Sequence, residues 1–200
     1  MHTVVKLIFI ALYTIFVQNL VFSGGFGMGE AMRIAIKPKR VLMFAGLLTG
    51  FSVLDSVACA ALFMLPALDD IGLPLQMILS TLVLLALFLL AVLIVTLATH
   101  RRPMEKFLST LGMAALNTLV FTLPVLGRLS AYGIWEAFAF GLGAGLAFVL
   151  ALGVLRQGVV RIMDHYSAIP HAFRGTPALF VYSALFSLSM VGLAGETIFA

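Results

Sequence analysis

An acid stands inside the long apolar run VLMFAGLLTGFSVLDSVACAALFML: Asp55, flanked by Ser52 and Ser56. A carboxylate at bilayer depth costs about 2.5–3.5 kcal/mol on insertion scales unless it is paired or wet. Asp55 therefore reads in one of two ways. It faces a polar interior as a cation or proton site, or it is satisfied by the neighbouring hydroxyls close to the outer interface. Two carboxamides, Asn19 and Asn117, lie in other apolar runs and are candidates for the same interior, so Asn19, Asn117 and Asp55 form a candidate polar site near the midplane. Cys59 is the single cysteine, which excludes an internal disulfide and any multi-cysteine metal site made by this chain alone. His165 and His171, with Asp164, suit a solvated loop better than a metal site, and Glu136 suits the first turn of a helix, where the dipole favours an acid. The GLGAG of Gly141 to Gly145 has no preceding strand and lies in an apolar run, so it marks close helix packing rather than a dinucleotide loop. No Ser/His/Asp arrangement, P-loop or credible nucleophile is present, and the sequence offers no catalytic residue and no metal site.

The elements that must carry these residues follow from composition. The chain has 200 residues, of which 62% are hydrophobic and 10% charged. Such a balance leaves too little polar surface for a soluble domain and describes an integral membrane protein. Apolar runs at 4–22, 41–65, 73–98, 107–126, 131–155 and 177–193 each approach the ~20 residues a bilayer demands, predicting six spans in a single membrane domain. The first run exceeds the ~7–15 residues of a signal-peptide core and reads as a retained span. Basic residues gather in the loops after spans one, three and five: Arg33, Lys37, Lys39 and Arg40; Arg101, Arg102 and Lys106; Arg156, Arg161 and Arg174. Only Lys6 and Arg128 fall on the other side, so both termini are expected outside. The net charge of +4 is thus a topology signal beside anionic lipid and gives no reason to invoke nucleic acid.

The chain also echoes itself. Leu20-Val21-Phe22-Ser23 returns as Leu119-Val120-Phe121-Thr122, and Gly46-x-x-x-Gly50 returns as Gly141-x-x-x-Gly145. Three spans per half would place the second half upside down, giving inverted repeats over approximately 1–99 and 100–200. Breaks at corresponding positions of such repeats point to a central site. Gly24, Gly25, Gly27 and Gly29 supply the first, and Pro124, among Asn117, Thr118 and Thr122, the second. The plainer alternative ends span one at Ser23 and leaves the glycines as a loop. The expected fold is an all-α polytopic membrane protein with six transmembrane helices, the first and fourth interrupted.

The segment HAFRGTPALFVYSALFSLSMVGLAG resembles the Pro-Phe-Arg-Gly entry and terminal Gly-x-x-Gly of the last helix in the Rnf/Nqr family of integral membrane subunits (RnfA, RnfE, NqrD and NqrE), here Phe173-Arg174-Gly175 and Gly192 to Gly195. FVQNLVFSGGFG resembles that family's first span, keeping Asn19 and Gly27, while Asn117 and Arg156 fit the second half. The resemblance implies a subunit of an ion-translocating electron-transport complex in a bacterial cytoplasmic (inner) membrane, paired with a second family member and other complex subunits. In that family each subunit gives one cysteine from each broken span, and two inverted subunits hold a [2Fe–2S] cluster between them. The matching positions here are Gly29 and Thr118, and Cys59 lies in another span. The chain is therefore expected to keep the scaffold without the cluster ligands, leaving iron-sulfur and flavin cofactors to partner subunits. The alternatives are a small-molecule or cation transporter on the same scaffold, with Asp55, Asn19 and Asn117 along the path, and a purely structural membrane partner.

Overall fold

The computed structural model describes residues 2–36, 41–68, 71–98, 104–165 and 169–194, and all regular structure among them is helical. The helices are α1 (His2–Phe16), α2 (Leu20–Ser23), α3 (Met28–Ile36), α4 (Val41–Phe63), α5 (Leu73–Ala98), α6 (Met104–Ala115), α7 (Thr118–Leu129), α8 (Ile134–Asp164) and α9 (Thr176–Ala194). Among the described residues four stretches are long and apolar enough to cross a bilayer: Val41–Phe63, Leu73–Leu97, Phe107–Leu129 and Ile134–Asp164. Thr3–Phe16 and Thr176–Gly192 are shorter apolar helices. Of the residues used above for orientation and family likeness, Lys37, Lys39, Arg40, Arg101, Arg102 and Gly195 lie outside the described residues, as does the side chain of Lys106.

The first apolar run does not continue to residue 22 as one helix. The amides of Val17 and Gln18 both donate to the Tyr13 carbonyl, a widened last turn that ends α1. Asn19 is extended (φ −65°, ψ 97°) and caps a fresh start at Leu20. One turn later the chain passes Gly25 (φ 71°) and Gly27 (φ 74°), both in the left-handed region that a side chain disfavours, and α3 begins at Met28. The glycines are thus a turn between two helices, with α2 anchored to α9 through the Phe22 and Phe186 rings, 4.6 Å apart.

The second interruption falls at Leu116 and Asn117, seven residues before the expected breaker. Pro124 sits buried inside α7, which runs on to Leu129. Asn117 makes the break because its extended backbone (φ −78°, ψ 139°) and side chain serve the amides of a new helix. Proline loses only its own donor, and α7 continues past it.

The axis of the molecule is α8, which packs against α4, α1, α3, α9 and α7. Its glycines permit the approach. A β-carbon on Gly141 would lie 2.6 Å from the Ser52 carbonyl oxygen, one on Gly145 2.6 Å from the Thr49 side chain, and one on Gly143 2.9 Å from the Ala11 carbonyl oxygen. Gly141 and Gly145 therefore seat α4 while Gly143 seats α1, the close packing expected of GLGAG. Gly46 and Gly50 do not mirror this pair, since nothing lies within 4 Å of a β-carbon at either. With 31 residues, α8 extends about 46 Å at 1.5 Å per residue, well beyond a ~30 Å hydrocarbon layer. Its continuation past residue 155 carries Arg156 and Arg161, both exposed. Most of α5 faces outward, with Leu75, Ile78, Leu82, Leu85, Leu89 and Leu93 exposed, a surface suited to lipid.

Candidate functional site

Both breaks are built by asparagine. The Asn19 carboxamide oxygen accepts from the Val21 and Phe22 amides (3.2 and 3.4 Å), and its nitrogen donates to the carbonyls of Ile15 (3.1 Å) and Ala147 (3.4 Å). The Asn117 oxygen accepts from the Leu119 amide at 2.9 Å. Both are buried, at 0% and 2% exposure, where each unmet donor or acceptor would be costly. The two meet neighbouring points on α8: Asn19 touches Ala147, and the Gly27 turn beside Asn117 lies against Phe148.

The interruptions also touch each other. The Gly27 amide donates to Thr118 Oγ1 at 2.8 Å across 91 residues of sequence. A β-carbon on Gly27 would stand 2.7 Å from Asn117 Oδ1, so the turn can press on the cap only because that position is glycine. Around this junction lies a surface cleft of about 510 Å³ lined by Gly25, Gly27, Met28, Gly29 and Glu30 from one interruption and Gly112, Met113, Leu116, Asn117 and Thr118 from the other. Gly29 and Thr118 therefore share one cleft although 89 residues separate them in sequence. Glu30 was not singled out from the sequence. Its carboxylate pairs with Arg33 at 2.6 Å, and the Arg33 guanidinium also contacts the Met113 sulfur. The Glu-x-x-Arg spacing was the available signal.

Asp55 stands apart from the junction. It is 1% exposed on α4, where one oxygen accepts from the Cys59 thiol at 3.7 Å and the other has no partner. Its neighbour Ser52 meets α8 at Gly141, six residues and roughly 9 Å along that helix from Ala147. Asn19 and Asn117 thus belong to one place and Asp55 to another, nearer the end where Arg128 donates to the carbonyls of Phe63 (3.3 Å) and Leu68 (3.2 Å).

The remaining polar residues are structural. Glu136 reaches back to the Gly133 amide at 2.7 Å, capping α8, and its other oxygen takes Lys6 at 2.7 Å. His165 Nδ1 lies 3.1 Å from the Arg161 carbonyl at the end of α8, and His171 is exposed in a short 3-10 turn. Among the described residues no three His, Cys, Asp or Glu come together as a metal site.

No protein-family profile matches the chain. Among curated proteins it is 29% identical over 190 residues to RnfA of the ion-translocating oxidoreductase complex of Aromatoleum aromaticum, covering 92% of this chain and 94% of that one. It is 34% identical over 85 residues to the protein of the same name from Syntrophotalea carbinolica, covering 42% and 43%. The likeness extends from the first interrupted helix to the Phe173-Arg174-Gly175 entry of the last, and the chain belongs to the Rnf family of integral membrane subunits.

Proposed function

We propose that the chain is a membrane subunit of an Rnf/Nqr-like ion-translocating electron-transport complex that holds no [2Fe–2S] cluster of its own. One observation carries the reading: the two asparagine-capped interruptions meet at Gly27 and Thr118, and their shared cleft displays Gly29 and Thr118 where the family likeness calls for cysteines. An iron-sulfur cluster needs thiolate or, less often, imidazole donors. Gly29 has no side chain, Thr118 Oγ1 is engaged by the Gly27 amide, and Cys59 lies buried on α4 beside Asp55. These residues do not fit the cluster, and no electron-transfer step is routed through them.

The scaffold we propose is six crossings in two inverted halves, with both termini outside the cytoplasmic membrane. In support, α1 and α8 begin at one end, joined by Lys6 and Glu136, while α4 and α7 finish at that end, joined by Arg128 over Phe63. Gly133, at the start of α8, lies against Met64 there. The first and fourth crossings then run in opposite directions, each broken at its asparagine. The cleft at the junction would face a second family member, with the other subunits supplying flavin and iron-sulfur centres.

The test is gentle purification of the tagged protein from its own membrane, followed by absorption spectroscopy, iron analysis and electron paramagnetic resonance. Redox subunits are expected to co-purify, with no cluster signal that depends on this chain. Purification without any redox partner refutes the complex. A [2Fe–2S] signal lost in Cys59→Ser refutes the cluster-free assignment.

A further inference from the structure

Hydroxyls in membrane helices ordinarily donate to the carbonyl one turn back. Thr14 does so to Ile10 (2.8 Å), Thr49 to Ala45 (2.8 Å) and Ser189 to Leu185 (3.1 Å). Ser52 and Ser56 do not, although they are 0% and 3% exposed, and neither hydroxyl has any partner. Between them on the same face of α4 lies Asp55, whose Oδ2 is also without one. Three buried oxygens, one of them a carboxylate oxygen, are thus gathered within five residues. The fourth member of the face, Cys59, donates its thiol to Oδ1 and leaves Oδ2 free.

Space for a hydrated ligand lies alongside. Ser56 lines a cavity of about 370 Å³ enclosed by α4, α7 and the start of α8, with Leu123, Gly127, Tyr132, Gly133 and Phe140 among its walls. At roughly 30 Å³ per water it has room for several molecules. The charged group on its wall, Arg128, is directed to the Phe63 and Leu68 carbonyls and the Phe63 ring, some eight residues and about 12 Å along α4 from Asp55.

Hard oxygens favour a hard cation, and one carboxylate neutralises one positive charge, whereas a divalent ion would bury an excess charge. We propose that Asp55, Ser52 and Ser56 bind a small monovalent cation, Na⁺ or Li⁺, reached with its water through the cavity beside Ser56. Every protein ligand comes from this chain, so the site holds whether or not the chain works in a redox complex.

The experiment is equilibrium binding of radiolabelled Na⁺ to the purified full chain in lipid nanodiscs, in choline chloride at fixed pH. Saturable binding is expected, displaced by NaCl and LiCl but not by additional choline. Asp55→Asn abolishes it, and Ser52→Ala and Ser56→Ala each weaken it about tenfold, as for one lost contact to a charge. Size-exclusion profiles establish that each variant is folded, and the serine variants carry the test if Asp55→Asn is not. Absence of saturable binding to folded wild type overturns the proposal, as does wild-type affinity in both serine variants or in folded Asp55→Asn. Co-purification of redox subunits is a separate readout, so the two readings fail separately.

Discussion

Replacing Gly27 with alanine strikes the point where the interruptions meet. The backbone there has φ 74°, which costs an L-residue roughly 1–2 kcal/mol. The added β-carbon would stand 2.7 Å from Asn117 Oδ1, too near to coexist with the bond from the Leu119 amide. Disturbing that cap adds roughly 0.5–2 kcal/mol. A total of about 2–4 kcal/mol corresponds to a fall in Tm of roughly 5–15 °C for a chain of this size. Cys59 supplies the assay, being the only thiol and fully buried, so a fluorogenic thiol dye reports global opening as the protein is heated in detergent. Gly29→Ala is the control: that residue is helical and nothing lies within 4 Å of its added β-carbon. It is expected to match wild type or exceed it slightly. Equal melting of the two variants would refute the account of the junction.

Gly141→Ala is expected to melt well below Gly153→Ala, because the first drives a β-carbon to 2.6 Å from the Ser52 carbonyl oxygen and the second meets nothing within 4 Å. The same thiol-dye melt measures both, and equal values would mean that α8 and α4 can slide apart freely. In a Cys59→Ser background, single cysteines at Lys39 and Asp70, both outside the described residues, are expected to label from opposite faces of intact membranes. Labelling from one face removes the six-crossing arrangement.

The interruptions were legible where glycine marked them. Four glycines in six residues left no continuous helix after Ser23, and Gly25 and Gly27 do adopt the backbone that glycine permits. The second break was read at Pro124 because a missing amide is conspicuous in a sequence. Capping is quieter, since an asparagine inside an apolar run looks the same whether it starts a helix or faces a cavity. The Leu-Val-Phe echo aligns residues 99 apart, yet the two caps are 98 apart, so sequence register and structural role differ by one position. Gly46 and Gly50 misled for a related reason: spacing alone does not say which face meets a neighbour. Asp55 and its serines shared a helix face by their spacing, but their lack of return bonds depends on side-chain rotation, which no sequence carries.

The dependence of α1 on α8 has a consequence for synthesis. Lys6 finds Glu136, Ala11 and Thr14 find Gly143, and the Asn19 carboxamide finds Ala147, each about 130 residues further along the chain. At about 5–20 residues per second, the ribosome needs roughly 6–26 s to deliver those partners. During that interval the first segment waits in or beside the bilayer with a carboxamide and an unpacked face. Its Nδ2 bond to Ile15 and the cap on Val21 and Phe22 are local, so Asn19 can satisfy most of its polar atoms before α8 exists. The interruption that shapes the finished site is therefore also what makes its earliest helix tolerable to the membrane while the rest is still being made.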